Sequence, residues 1–156
     1  MTQNRFYRLI NTKDKELIYH WSNDIITRES SFNSKSITLD EHSEWFKKKI
    51  IALHSWYFIC EIDGMPAAII RFDIDTNETT IGINIAPNFR GKGLASLFLT
   101  ESSLLYFKKN SNVLLAFIKK SNIPSIKSFE KAGFLLDSET SINNTEAFLY
   151  KKTFYV

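Results

Sequence analysis

The sequence predicts an α/β domain built on a mixed sheet, and three observations carry that prediction. Runs rich in aromatic and β-branched residues alternate with stretches of helical spacing. Their order is strand, two helices, three strands, helix, strand, helix, two strands, an alternation that calls for at least one crossover connection. No repeat, linker or low-complexity tract interrupts residues 1–156, a length that suits one domain.

The elements follow in order. Arg5 to Ile10 is a short mixed run and the first strand. Asp14 to Asn23 has apolar residues at 17, 18 and 21, a helical spacing. Ile25 to Lys35 is polar and irregular, with a Ser30-Ser31-Phe32-Asn33-Ser34 loop. Thr38-Leu39-Asp40-Glu41 is a capping box that opens a helix running to Ala52. Ser55 to Ile62 and Ala67 to Ile74 form a hairpin around Asp63-Gly64, and Thr79 to Ala86 adds a third strand that Pro87-Asn88 ends. Gly93 to Lys109 is an amphipathic helix. Val113 to Ile118 is an apolar run, a buried strand. Pro124 suits the first turn of a helix that ends at Gly133. Phe134 to Leu136 and Ala147 to Phe154 close the sheet.

Composition removes several classes of function. The single cysteine, Cys60, sits in an apolar run, so no internal disulfide forms and the thiol packs as a small hydrophobe. No stretch reaches the roughly 18 apolar residues of a membrane span, and no signal-peptide core follows Met1; the expectation is a cytoplasmic protein with no membrane partner. His20, His42 and His54 show no ligand spacing, so no metal is expected. A net charge of +3, spread over short groups such as Lys47-Lys48-Lys49, favours an anionic ligand mildly and gives no phosphate-tracking stripe for nucleic acid.

The chemistry concentrates in Arg90-Gly91-Lys92-Gly93-Leu94-Ala95. Two of the five glycines fall in this loop, between a strand and a helix. Glycine there admits φ > 0 and lets backbone N–H groups approach a ligand. The helix behind supplies unpaired donors and the positive end of its dipole, and Arg90 and Lys92 add two cations. Together they make a site for a pyrophosphate. The loop is not a nucleotide P-loop, since no Gly-Lys-Ser/Thr follows, and not a dinucleotide fingerprint, since the third glycine is missing.

The chain resembles the GNAT superfamily of acetyltransferases. Arg90, Gly93 and Ala95 match the family's Arg/Gln-x-x-Gly-x-Gly/Ala, and the segment from Asn122 to Phe134 is similar to its Asn-x-x-Ala/Ser-x-x-x-Tyr-x-x-x-Gly-Phe. The resemblance implies a seven-stranded, mostly antiparallel mixed sheet with helices on both faces and a splay between strands four and five. It implies acetyl-CoA as co-substrate, its pantetheine arm bonded to strand-four backbone at Ile83 to Ile85 and its pyrophosphate on the amides of residues 90 to 95. Asn122 would reach the pantetheine arm, with a plain helix cap as the alternative. The tyrosine that often protonates the leaving thiolate is Phe129 here, which would pack against the sulfur end and donate nothing.

A narrower resemblance concerns the acceptor. Trp21-Ser22-Asn23-Asp24, Arg28, Ser31-Phe32-Asn33-Ser34, Glu41-His42, Trp45-Phe46 and Ile70-Arg71-Phe72-Asp73 are similar to GNATs that acetylate nucleotide-linked amino sugars, as in pseudaminic acid biosynthesis. Arg28 and Arg71 would then meet a diphosphate, and Asn33, His42, Asp73 and Asn84 the sugar hydroxyls. Arg71 and Asp73, on one face of a strand, could instead bridge each other, and His42 could be a packed histidine. The attacking amine must lose a proton to Asp73, His42 or Glu61, directly or through water; Asp73, His42 and Asn84 form the candidate catalytic group. A protein N-terminal acetyltransferase and a non-catalytic acyl-CoA-binding module are the competing functions, the latter favoured by Phe129. A homodimer is left open.

Overall fold

The computed structural model describes residues 2–154; Met1, Tyr155 and Val156 lie outside the described residues. Its strands are β1 (Arg5–Leu9), β2 (Ser55–Ile62), β3 (Met65–Ile74), β4 (Glu78–Ile85), β5 (Val113–Lys119), β6 (Leu135–Ile142) and β7 (Thr145–Lys152). Its helices are α1 (Lys15–Asn23), α2 (Ile25–Ser30), α3 (Leu39–Ile51), α4 (Leu94–Phe107) and α5 (Ile123–Lys131). The strands form one sheet in the order β1-β2-β3-β4-β5-β7-β6. Every neighbouring pair is antiparallel except β4 and β5, which α4 joins as a crossover.

Period-two alternation divides the sheet's side chains between two cores. On one face Ile70, Phe72, Ile81, Leu114 and Ala116 pack against Leu94, Phe98, Leu99 and Tyr106 of α4 and Phe129 of α5. On the other, Tyr57, Ile59 and Ile69 meet Ile18 and Trp21 of α1 and Phe46 of α3. The Tyr106 ring stacks on Phe72 at 4.9 Å and 10°, and its hydroxyl lies 2.6 Å from that of Thr79. An aromatic pair of this kind adds about 0.5–1.5 kcal/mol beyond its buried area, here fixing α4 over the start of β4. No helix among the described residues is long and apolar enough to cross a membrane.

Most expected elements are present, with three differences. The run from Ile25, read as irregular, begins with a helix that ends at Ser30, where the expected loop starts: Asp24 caps α2 by accepting from the Thr27 N–H, and the helix buries no residue. Without an apolar face it left no periodic signal. Strand β6 extends to Ile142, well past Leu136, because it is an exposed edge strand whose Asp137–Thr140 segment is polar. Asn143 and Asn144, at φ 48° and 60°, close the hairpin into β7, as such residues can in a two-residue turn. Strand β7 ends at Lys152, short of Phe154. The capping box at Thr38 and Glu41 is formed in both directions.

Candidate active site

Strands β4 and β5 pair only at Glu78–Val113, Thr79–Leu114 and Thr80–Leu115. Beyond Thr80 they part, and residues 81–85 of β4 have no strand beside them on that edge. The Ala86 N–H donates to the Ala67 carbonyl at 2.8 Å, toward β3. Backbone groups alternate along a strand, so the N–H groups of Ile83 and Ile85 face the opening instead. The gap therefore offers a row of backbone donors and acceptors at the side of the sheet.

At the end of this row lies the glycine loop. Gly91 and Gly93 have φ +72° and +71°, in the left-handed region, and a Cβ on either would meet nothing within 4 Å. Gly93 is the N-cap of α4 and no side chain caps that end. The first-turn amides of a fourteen-residue helix are thus open, beneath free space. An anion can rest there, with an extended arm running along β4.

A family model for the acetyltransferase (GNAT) domain matches residues 6–135. The chain belongs to the GNAT family. It is an acyl-CoA-dependent N-acetyltransferase with acetyl-CoA as co-substrate. One relative, named "Putative phosphinothricin acetyltransferase YwnH" in Bacillus subtilis (strain 168), is 30% identical over 134 residues, 81% of this chain and 82% of that protein. The fold is similar to spermidine N-acetyltransferase from Vibrio cholerae, solved with CoA and spermine, at a TM-score of 0.85 and 17% identity over 96% of this chain and 95% of that one. It is also similar to aminoglycoside acetyltransferase AAC(6')-Ib with CoA and kanamycin, at 0.83 and 19%, over 96% and 95%.

Within this GNAT domain several side chains lie elsewhere than expected. Arg90 turns away from the glycine loop. Its guanidinium reaches Asp24 Oδ2 at 2.7 Å, the Thr27 hydroxyl at 3.2 Å and the Ile85 carbonyl at 3.1 Å. Partial burial works against ionisation of Asp24, but the bonds from Arg90 and the Thr27 N–H and the charge of Arg90 outweigh it and hold the carboxyl below its usual range. Lys92 lies 5.3 Å over the Phe89 ring. The loop's capacity for an anion therefore rests on its amides, those of Gly91 to Ala95.

Asn84 Nδ2 donates to the Trp21 carbonyl and its Oδ1 accepts from Thr27, so the amide joins β4 to α1 and α2 and is committed there. On the far side Lys119 Nζ donates to the Glu29 carbonyl at 2.8 Å. Helix α2 thus bridges the parted strands.

His42, expected at the acceptor, is instead 2% exposed between Tyr19, Trp45 and Phe46. Its Nε2 donates to the Lys15 carbonyl at 2.7 Å. Burial lowers its pKa against the opposing bond to the Lys15 carbonyl, and the position is a packed core histidine. Glu61 is bound to Arg8 at 2.7 Å, in a cluster with Asp14. Asp73 differs from both: its side chain is 44% exposed, and Oδ1 accepts from Lys49 Nζ at 2.7 Å and the Tyr57 hydroxyl at 2.6 Å. Its Oδ2 has no partner among the described residues. Asp73 does not bridge Arg71. It pairs across the sheet with Thr80, the last β4 residue before the gap.

Arg28 binds the carbonyls of Asn33 and Lys35 and the Ser31 hydroxyl, and Asn33 Oδ1 accepts from the Lys35 N–H, so both order the loop after α2. Asn122 caps α5 by accepting from the Ser125 N–H, which leaves its Nδ2 for a ligand. Phe129 is 3% exposed and sits edge-on to Phe134 at 5.0 Å. Its ring is core, with almost no surface to offer a cofactor arm. Lys49 and Tyr57, the partners of Asp73, carried no sequence signal because each lies far along the chain. Gly82 did carry one: a glycine inside a strand marks a close approach.

Proposed function

We propose that this chain transfers the acetyl group of acetyl-CoA to a primary amine of a small molecule, and that this molecule is a nucleotide-linked amino sugar in the cytoplasm. The observation that carries the transfer is the opening between β4 and β5 beside the uncapped, glycine-led N-terminus of α4. The pyrophosphate rests on the amides of Gly91, Lys92, Gly93, Leu94 and Ala95. The pantetheine arm lies along Ile83 and Ile85, with Asn122 Nδ2 beside it. The acceptor reading rests on the residue run from Trp21 to Phe46 and on Arg71-Phe72-Asp73.

The amine nitrogen attacks the thioester carbonyl carbon, and a β4 N–H donates to the developing oxyanion. As the carbon–sulfur bond breaks, the electron pair leaves on sulfur. The ammonium proton passes to Asp73 Oδ2, directly or through one water. Lys49 and Tyr57 hold the other carboxylate oxygen and fix its orientation. The leaving thiolate needs little help, since thiols titrate near 8 to 9; a phenol at position 129 is dispensable.

The test is release of free CoA, with product mass, across amino sugars, nucleotide-linked amino sugars, polyamines and peptides. Turnover of nucleotide-linked amino sugars above all others is the expected result. Turnover of peptide N-termini alone refutes the acceptor class. Tight acetyl-CoA binding with no acetylated product from any amine refutes the enzyme reading.

A further inference from the structure

Three residues stand in one row across the sheet on the acceptor face: Tyr57 of β2, Arg71 of β3 and Gly82 of β4. Arg71 is exposed and makes no hydrogen bond or ion pair among the described residues. Its side chain lies flat across β4. A Cβ on Gly82 would stand 2.8 Å from Nη2 and 3.4 Å from Cζ and Nε. Gly82 alone among the five glycines has no left-handed φ. Its backbone conformation is open to any residue, so what glycine provides here is room for the guanidinium.

The Nε of Arg28 is buried and has no partner. Burial first, and the charge of Arg71 second, lower the Arg28 pKa. Two carboxylates in this region are already engaged, Asp73 by Lys49 and Asp24 by Arg90. The unpaired guanidinium of Arg71 is a ready partner for an oxyanion.

We propose that Arg71, laid over Gly82, forms an anion subsite, and that the amine substrate carries an oxyanion of the phosphate or carboxylate type. This rests on the acetyl-transfer reading above and narrows it. The amine then enters from the acceptor face with its negative group anchored on β3, beside Asp73 and the start of the gap. Arg71 determines specificity by excluding polycations, although spermidine and aminoglycoside acetyltransferases have a similar fold. Gly82 acts through Arg71, as the space that lets it lie across the strand.

The experiment uses the full chain saturated with CoA, so that the pyrophosphate loop is occupied. Glucosamine 6-phosphate, glucosamine and spermidine are titrated by calorimetry. The phosphate sugar should bind about tenfold to a hundredfold more tightly than glucosamine, the worth of one or two charge-assisted hydrogen bonds. Arg71→Ala should remove that difference while the CoA dissociation constant stays within about threefold. Gly82→Ala should also remove it, because the added methyl displaces a flexible side-chain tip and leaves the backbone unstrained. Arg71→Lys should restore part of it. Equal binding of the two sugars, no measurable binding of either, or tighter binding of spermidine overturns the proposal. CoA release is read separately, so an anion preference without turnover would count against the transfer reading and not against the subsite.

Discussion

Replacing Arg90 with alanine tests whether this residue holds a phosphate or joins two halves of the site. In the structure it makes three bonds, to Asp24 at 2.7 Å, Thr27 at 3.2 Å and the Ile85 carbonyl at 3.1 Å, with 23% exposure on each side of the ion pair. A hydrogen bond to a charged group is worth about 1.5–3 kcal/mol, and partial exposure discounts the upper end. A loss of about 2 kcal/mol is expected, a fall of roughly 4–8 °C in Tm for a domain of this size. Asp24 titrates below its usual range in the folded state, so its stabilisation is present above the unfolded carboxylate pKa and is lost as pH falls through the lower, folded value. The gap between wild type and Arg90→Ala should therefore narrow as pH drops below about 4. Urea unfolding of Arg90→Ala, Asp24→Ala and the double variant, between pH 3 and 7, reads this directly. Non-additivity of at least about 1 kcal/mol is expected for residues in contact. Additive losses, or a tenfold weaker acetyl-CoA affinity with unchanged stability and acceptor KM, would refute the argument and return Arg90 to the pyrophosphate.

Gly93→Asp puts a side chain at φ +71° and a negative charge where the phosphate would rest. It should abolish acetyl-CoA binding by calorimetry, and a folded variant of unchanged affinity would discard the loop. Asp73→Asn should lower kcat about a hundredfold and leave acetyl-CoA affinity unchanged; a change confined to KM would assign Asp73 to binding alone. Phe129→Tyr should keep the rate within about tenfold, a barrier change of roughly 1.4 kcal/mol. Phe129→Ala should cost about 3–5 kcal/mol in urea unfolding, since the ring is 3% exposed and packed on Phe134. An inert natural protein that Phe129→Tyr makes active would show that the wild type only binds its cofactor.

The sequence carries the parts of this fold that repeat locally. The capping box at Thr38, the hairpin at Asp63-Gly64 and the glycine pair before α4 each need only a few adjacent residues, and all three are where they were expected. Helix α2 and most of β6 were not legible, because tertiary bonds and a neighbouring strand stabilise polar segments that show no periodicity. The candidate site divides in the same way. Backbone amides of residues 91–95 follow from the motif, whereas side-chain directions do not. Arg90, Asn84 and Arg28 are polar residues of the right type near the right place, and each is engaged by neighbouring side chains and backbone. His42 sits one turn from Phe46, a spacing that serves a core as well as a cleft. Asp73 stands apart because its partners, Lys49 and Tyr57, lie 24 and 16 residues away and leave one oxygen free.

Helix α2 buries none of its residues fully, and polar bonds tie it across the parted strands. Those bonds are unequal. Arg90 and Asn84 fasten it to the β4 side through several part-buried contacts, while a single exposed lysine contact reaches it from β5. If the opening widens, the weaker seam gives first and the helix travels with β4. Helix α2 is mechanically an extension of β4, and in the proposed arrangement a displacement of that strand would move both reactants together.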